Sequence, residues 1–289
     1  MQTCRQIEQL RTTISGWRNK GERIAFVPTM GNLHEGHLSL VDIARQRASR
    51  VVVSIYVNPL QFAPDEDFDS YPRTLDHDLE KLKAKAVDLV FTPDDSMVYP
   101  QGESNSSFVE VPVLSHILEG EFRPGFFRGV ATVVLKLFNM VQPDIAVFGE
   151  KDFQQLLVIR QMVNDLNLPV EIVGGEIKRE ADGLAMSSRN NYLDAEEREK
   201  SRVLSASLRK FRHDIEQGST IEAAQESCVA MLLSYGFIVD YVTLRETCSL
   251  QAVSNEQLVA DKEFIMLAAA KIGKTRLIDN IRFTIGSQV

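Results

Sequence analysis

The sequence has few cysteines, no excess of basic residues and no long hydrophobic run. Its 289 residues include Cys4, Cys228 and Cys248 as the only cysteines, too few and too scattered for a disulfide framework or a CxxC zinc site. A reducing compartment is therefore expected. Lys and Arg total 32 against 40 Asp and Glu, a net charge of −8, which argues against a nucleic-acid-binding surface. A local cluster of Lys, Arg and His can still hold a small anion in an acidic protein.

Targeting and membrane signals are also missing. The N-terminus lacks the apolar core of a signal peptide, and the most apolar run, residues 51–57, has only the length of a strand. We expect a cytoplasmic protein that binds neither nucleic acid nor membrane. With 25% charged and 44% hydrophobic residues the composition is that of an ordinary globular protein, and the length predicts about two domains.

Short apolar segments alternate with helical patterns along the first part of the chain. Residues 23–27, 51–57, 87–91, 144–148 and 170–173 predict buried strands. This alternation predicts an α/β fold, a Rossmann-like parallel sheet with helices on both faces. Ligands of such sheets bind at the carboxyl ends of the strands, so the segments that directly follow the strands are candidate sites.

The composition changes after about Asn191, where two charged helical patterns precede three predicted strands over 237–244, 263–270 and 275–279. We predict domains over 1–175 and 176–289, the second a smaller α+β domain, with a linker near Gly174 and Gly175. The acidic run 65–69 predicts a solvated loop.

Residues 28–37 (PTMGNLHEGH) are the most informative motif. His34 and His37 are three residues apart and share one face of the helix predicted over 34–47, at an N-terminus whose N–H groups and dipole attract anions. Gly36 lets a ligand approach the backbone. Two imidazoles there can stabilise charge in a phosphoryl transition state. Helix capping or metal binding is the alternative, although no third metal ligand lies at a recognisable spacing.

Three further segments carry polar residues after predicted strands or in loops. In 183–190 (GLAMSSRN), two hydroxyls and a guanidinium suit phosphate oxygens, or form a surface turn. In 148–155 (FGEKDFQQ), Lys151 can neutralise phosphate, Asp152 can cap a helix or hold Mg²⁺, and Gln155 lies one turn on. In 57–62 (VNPLQF), the amides of Asn58 and Gln61 suit a small polar substrate, or mark a turn.

An HxGH motif followed by Ser-Ser-Arg resembles the signatures of the adenylate-forming nucleotidyltransferase superfamily. The longer strings at 28–37, 57–62, 123–125, 148–155 and 182–190 together are similar to the pantoate–β-alanine ligase family. The resemblance covers nearly the whole chain. It implies a ligase that uses Mg-ATP to convert pantoate to pantoyl adenylate, and then joins the acyl group to β-alanine with release of AMP and pyrophosphate. It also implies a homodimer through the N-terminal domain, and a first domain that binds nucleotide and pantoate beneath a C-terminal lid.

The resemblance also assigns roles to individual residues. Charge neutralisation during catalysis is expected from His34, His37, Lys151, Ser187, Ser188 and Arg189, with His37 as proton donor. Gln61 is expected to contact pantoate and β-alanine, Gln155 to hold pantoate, and Asn58 to lie with them. The expected ATP-binding residues are Met30, Gly31, Asn32, Leu33, His34, Glu35, Gly36, His37, Gly149, Glu150, Lys151, Asp152, Lys178, Met186, Ser187, Ser188 and Arg189.

The sequence departs from the family pattern at three places. Phe126 replaces an expected histidine, Glu176 an expected proline, and Lys178 an expected apolar residue whose backbone faces adenine. A nucleotidyltransferase acting on another small anionic substrate is the alternative function, and a non-catalytic nucleotide-binding regulator is a further one. The intact histidine pair argues against the regulator, because a sensor does not need to stabilise a transition state.

Overall fold

The computed structural model describes residues 1–63 and 66–286, which group by mutual contact into two units. One unit comprises Met1–Glu150 with Gln155–Glu176, and the other comprises Lys151–Gln154 with the chain from Ile177 onward. The four residues of the short segment join the second unit because the Asn280 side chain donates to the Lys151 carbonyl at 3.0 Å. The lid function predicted for the C-terminal part stays a prediction.

The first unit alternates strands and helices. Its described strands are β1 (Gln2–Cys4), β2 (Ile24–Thr29), β3 (Arg50–Ile55), β4 (Leu89–Phe91), β5 (Ile145–Gly149) and β6 (Glu171–Gly175). Its described helices are α1 (Ile7–Arg18), α2 (Glu35–Arg47), α3 (Leu75–Ala84), α4 (Asp95–Val98), α5 (Glu119–Phe122), α6 (Phe126–Val141) and α7 (Phe153–Asp165), the last beginning in the Lys151–Gln154 segment.

The six strands form one sheet in the order β1-β4-β3-β2-β5-β6, and every neighbouring pair is parallel. This confirms the predicted Rossmann-like α/β fold. The central strands are buried as their unbroken apolar sequences predict, with Phe26, Val52 and Val147 fully inaccessible. Strand β1 was not predicted, because three residues with one buried side chain give no pattern.

Gly174 and Gly175 lie in β6, paired with Phe148 and Gly149, and not in a linker as the sequence suggested. Packing explains both glycines. A Cβ at Gly174 would lie 2.7 Å from Oε1 of Glu150, and a Cβ at Gly175 would overlap the Leu40 side chain. These glycines therefore allow close contact between β6 and its neighbours.

The second unit is the predicted smaller α+β domain. Its described helices are α8 (Ala195–Glu216) and α9 (Ile221–Ser234), and its described strands are β7 (Ile238–Glu246), β8 (Glu263–Ile272) and β9 (Thr275–Thr284). The three strands form an antiparallel sheet in chain order. Helix α8 begins with a capping box in which Asp194 and Glu197 accept each other's backbone N–H groups.

Strand β9 runs five residues beyond the predicted end at Asp279, because the buried polar pair Asp279 and Asn280 interrupts its apolar pattern. Of the predicted acidic loop, Asp65 lies outside the described residues. Across 1–63 and 66–286, no helix is both long enough and apolar enough to cross a membrane.

Candidate active site

The sheet reverses its direction of growth between β2 and β5. From β2 the chain continues to β3 and β4 on one side, whereas β5 and β6 lie on the other. Ligands of open parallel sheets bind outside the carboxyl ends of the strands at such a reversal. The loop with the HxGH motif follows β2, and the segment beginning at Gly149 ends β5. The strand order thus brings two of the predicted segments to the same edge.

Helix α3 holds the loop between β2 and α2 from behind. The Asp78 carboxylate, which is fully buried, accepts the backbone N–H groups of Asn32 at 2.9 Å and Leu33 at 2.8 Å. One turn later, the Lys81 ammonium donates to the Leu33 carbonyl at 2.5 Å. Gly31 has a φ of +81°, and a Cβ there would lie 3.1 Å from the Asp78 carboxylate. The loop leading to His34 is therefore fixed by charged side chains on a neighbouring helix.

His34 and His37 form a reciprocal cap at the start of α2. The Gly36 N–H donates to Nδ1 of His34 at 3.1 Å, and the His34 N–H donates to Nδ1 of His37 at 3.3 Å. The ring centroids are 4.1 Å apart. The capping alternative is thus correct for Nδ1. With Nδ1 as acceptor, each neutral ring carries its proton on Nε2. Both rings are partly exposed and can donate from Nε2 to an anion.

The other predicted ATP-binding residues of this loop differ in exposure. Met30, Asn32 and Gly36 are partly exposed and Glu35 is exposed. The Leu33 side chain is 2% exposed in the core, and both backbone polar groups of this residue are bonded to α3. Leu33 therefore anchors the loop to the core.

Gln61 lies in a 3₁₀ turn, Pro59–Gln61, just after β3, and Asn58 supports it. Asn58 is completely buried; its Nδ2 donates to Oε1 of Gln61 at 3.0 Å and to the Gly129 carbonyl at 3.2 Å. Its Oδ1 accepts the Tyr99 hydroxyl at 2.6 Å. Both amide protons of Asn58 are engaged inside the protein, and the residue holds Gln61 in place. Its direct contact with substrate stays a prediction.

Arg123, which lies between α5 and α6, and the first turn of α6 hold the same turn. Arg123 forms a two-pronged ion pair with Glu66, both bonds 2.6 Å long, and also donates to the Gln61 carbonyl at 3.0 Å. The Arg123 guanidinium lies 3.8 Å from the centre of the Phe126 ring. A Cβ at Gly129 would overlap the Leu60 carbonyl, so α6 touches the turn directly. Phe126, which replaces the histidine of the family pattern, therefore stacks on Arg123, and Arg123 in turn holds Gln61.

The segment after β5 supplies the next predicted residues. Glu150 to Asp152 form a 3₁₀ turn that leads into α7, and Gln155 is half-buried in the first turn of that helix. Gly149 and Glu150 belong to the first unit and Lys151 and Asp152 to the second.

In the second unit, a buried ion pair braces the chain before Ser187. The Arg179 guanidinium donates to both oxygens of Asp279, at 2.7 and 2.9 Å, and to the Gly183 carbonyl at 3.0 Å. The Asp279 side chain is 2% exposed. The next strand residue, Asn280, holds the Lys151 carbonyl. The middle of β9 thus positions both Lys151 and the hairpin that precedes the Ser-Ser-Arg segment.

The predicted phosphate-binding segment continues from that hairpin. The Met186 N–H donates to the Lys178 carbonyl at 2.9 Å, and the Ser187 hydroxyl accepts the Arg189 N–H at 3.3 Å, which starts a 3₁₀ turn, Ser188–Tyr192. Ser188 is buried, whereas the Met186 and Arg189 side chains are partly exposed. The Lys178 side chain is exposed, as is that of Glu176.

The residues that position the HxGH loop and Gln61 were not predicted from the sequence. Asp78 lies on a charged helix with no distinctive spacing, and Tyr99 follows it in an irregular segment. A signal did exist for Asp279 and Asn280, since two polar residues inside an apolar strand are expected to have a specific partner. No cluster of three His, Cys, Asp or Glu that could hold a metal occurs in the described part of the chain.

Known proteins resemble this chain over its whole length. A sequence profile of the family described as pantoate-beta-alanine ligase matches residues 2–282. The pantothenate synthetase of Shewanella oneidensis is 51% identical over 283 residues, which is 98% of this chain and 99% of the relative. That of Shewanella amazonensis is 52% identical over 284 residues, 98% of this chain and all of the relative.

Solved structures of pantothenate synthetases also match the fold of this chain. Pantothenate synthetase from Thermus thermophilus superposes with a TM-score of 0.90 at 44% identity, covering 97% of this chain and 99% of that one. Pantoate-beta-alanine ligase from Francisella tularensis, complexed with beta-gamma ATP and beta-alanine, gives a TM-score of 0.79 at 34% identity, with 97% of each chain covered. Sequence and fold agree, and the chain belongs to the pantoate–β-alanine ligase family.

Proposed function

We propose that the protein condenses pantoate with β-alanine to pantothenate, in two steps and at the expense of ATP. Family membership over residues 2–282 supports the overall reaction. The observation that carries the proposal is the reciprocal cap of His34 and His37 at the edge where the sheet reverses direction. The ligands named for the Francisella tularensis structure, ATP and β-alanine, are two of the three substrates.

In the first step, a carboxylate oxygen of pantoate attacks the α-phosphorus of ATP, and the bond to the pyrophosphate oxygen breaks. Pyrophosphate leaves with the electron pair, and pantoyl adenylate forms. Both reactants are anions, so the reaction requires donors aimed at the phosphate oxygens. We assign this role to the Nε2–H groups of His34 and His37, whose rings are held by their Nδ1 atoms.

Lys151, Ser187, Ser188 and Arg189 are proposed to neutralise phosphate charge in the same step, with Met186 and the Lys178 backbone binding the nucleotide. A guanidinium and two hydroxyls are suited to phosphate oxygens. Mg²⁺ is proposed to enter with ATP; bound largely through phosphate oxygens, it needs only one or two protein carboxylates, and Asp152 offers one.

In the second step, the amine of β-alanine attacks the acyl carbon of pantoyl adenylate. The bond from that carbon to the phosphate oxygen breaks, AMP leaves with the electron pair, and the nitrogen loses a proton. Gln61 and Gln155 are proposed to hold the substrates, since bound reactants in a fixed orientation react far faster than free ones.

An isotope experiment tests the two-step route. The protein is incubated with ATP, Mg²⁺, β-alanine and pantoate whose carboxylate carries ¹⁸O, and the products are analysed by mass spectrometry. We expect pantothenate and AMP, with one ¹⁸O in the AMP phosphate, because the attacking oxygen stays on phosphorus. ADP with ¹⁸O in inorganic phosphate would contradict the adenylate. Product without β-alanine in it would indicate the alternative nucleotidyltransferase.

The homodimer and the cytoplasmic location implied by the resemblance stay predictions. Light scattering on the purified protein is expected to give twice the chain mass of 32.5 kDa, and a value equal to one chain would contradict the dimer.

A further inference from the structure

Three buried polar side chains form a hydrogen-bonded line that ends at Gln61. The Tyr99 hydroxyl donates to Oδ1 of Asn58 at 2.6 Å, and Nδ2 of Asn58 donates to Oε1 of Gln61 at 3.0 Å. Tyr99 is 3% exposed and Asn58 is 0% exposed, whereas Gln61 lies at the boundary with 9%. The line therefore ends at its least buried member, Gln61, in the turn after β3.

The direction of every bond in this line follows from one backbone group. The Gly129 carbonyl can only accept a hydrogen bond, so the Asn58 atom 3.2 Å from it must be the nitrogen. The other Asn58 amide atom is then the oxygen, which accepts the Tyr99 hydroxyl. The second proton of the Asn58 nitrogen reaches Gln61, so the Gln61 atom facing it must be the oxygen.

This arrangement leaves the Gln61 nitrogen, with its two protons, on the side away from Asn58. An amide nitrogen donates to carboxylate or hydroxyl oxygens and cannot accept from the ammonium group of an amino acid. Burial raises the pKa of Tyr99, and the carboxylates of Glu103 and Asp95 raise it further. The hydroxyl accordingly remains a donor to Asn58 throughout the range in which enzymes are assayed.

We propose that Tyr99 is a positioning residue for Gln61: acting through Asn58, it orients the Gln61 amide so that its nitrogen donates to an oxygen of pantoate. The inference rests on the proposed function, which supplies the substrate. Tyr99 is buried, and its effect reaches Gln61 through two hydrogen bonds and pantoate through a third. Without the hydroxyl, the Asn58 oxygen loses its donor in a buried place, and Gln61 is held less firmly.

The matched pair Tyr99→Phe and Tyr56→Phe tests the proposal. Tyr56 is also buried at the end of β3, but its hydroxyl donates to Asp95 at 2.8 Å and not to Asn58. We expect Tyr99→Phe to raise the KM for pantoate about fivefold, the usual effect of one lost hydrogen bond, with the KM for ATP within about twofold. Tyr56→Phe is expected to leave the KM for pantoate within about twofold. Equal effects of the two variants would overturn the proposal.

A double-mutant cycle with Gln61→Ala separates positioning from a general loss of structure. If Tyr99 acts through Gln61, Tyr99→Phe has no further effect on the KM for pantoate once Gln61 is truncated. If Tyr99→Phe raised the KM for pantoate by the same factor with and without Gln61→Ala, the proposal would be overturned. All variants are assayed below their melting temperatures, so that folding does not enter the comparison.

Gln61→Glu tests the orientation independently of Tyr99. This change replaces the outward nitrogen with a charged oxygen, so we expect a larger rise in the KM for pantoate than Gln61→Ala gives. A KM at or below that of the unmodified protein would show that the Gln61 oxygen faces the substrate, and would overturn the proposal. If the unmodified protein formed no pantothenate from its substrates, the proposed function itself would be contradicted.

Discussion

Replacing Asp78 with asparagine tests whether helix α3 holds the HxGH loop in its active position. The carboxylate is fully buried and accepts three hydrogen bonds: from the N–H groups of Asn32 and Leu33, and from the Thr74 hydroxyl at 3.2 Å. Asparagine keeps one oxygen and places an NH₂ group against the remaining donors. At least one buried backbone N–H then loses its acceptor.

An unsatisfied buried donor costs about 1–3 kcal/mol, and hydrogen bonds to a charged acceptor contribute about 1.5–3 kcal/mol each. Removal of a buried charge offsets part of this loss. We expect Asp78→Asn to lower the free energy of unfolding by about 2–4 kcal/mol, which corresponds to about 5–15 °C in melting temperature for a unit of this size. Because the loop leads directly into His34, a displacement of about 1 Å is expected to lower kcat about 100-fold.

The assay compares Asp78→Asn with Asp76→Asn by calorimetry and by kcat at a temperature where both are folded. Asp76 lies in the same first turn of α3 but is exposed, so its change removes the same charge and costs at most about 1 kcal/mol. If the two variants melted within about 2 °C of each other and turned over equally, the Asp78 carboxylate would not be what holds this loop.

Three other perturbations give distinct outcomes. His37→Ala is expected to lower kcat by about 10² to 10³, the usual effect of removing one charge-stabilising donor, measured in single-turnover experiments. Gln61→Ala is expected to raise the KM for pantoate and β-alanine while leaving ATP binding unchanged, measured by titration calorimetry and steady-state kinetics. Cys248 is exposed, whereas burial raises the pKa of Cys4 and of Cys228 to about 11, so one thiol per native chain is expected to react rapidly with a disulfide reagent at pH 8.

Each of these outcomes has its own control. His77, an exposed histidine on α3, serves for His37, and equal kcat values for the two alanine variants would remove His37 from the mechanism. Unchanged KM values for both substrates would count against Gln61. Rapid reaction of all three thiols at pH 8 would show that Cys4 and Cys228 are accessible, and full reaction in denaturant gives the total.

The strands and helices of the first unit could be predicted because each is short and strongly patterned. Residues 51–57 give a buried strand and residues 34–47 a helix, and the structure places β3 at Arg50–Ile55 and α2 at Glu35–Arg47. The order of the strands in the sheet was not predictable from these local patterns. It depends on which apolar faces pack together, and hence on contacts between residues far apart in sequence.

The candidate residues also divide into those that could be identified from local sequence and those whose role depends on the fold. His34, His37 and Gln61 were identified because their residue types and spacing are unusual in themselves. Asn58 and Leu33 were given ligand contacts, since a motif names its residues without distinguishing side chains that face the ligand from those that support the motif. The structure buries both, so that Asn58 supports Gln61 and Leu33 anchors the loop.

The available chemistry follows from residue types and local patterns: two imidazoles at a helix start, a Ser-Ser-Arg segment, and a series of strands to carry them. Which atoms are presented depends on contacts between distant parts of the chain. Asp78 lies 45 residues from Leu33 along the chain and Tyr99 lies 41 from Asn58, and their hydrogen bonds fix the loop and the amide. The physical reason is that hydrogen bonds are directional and short, so the partner of a buried polar atom is set by the fold and not by its neighbours in sequence.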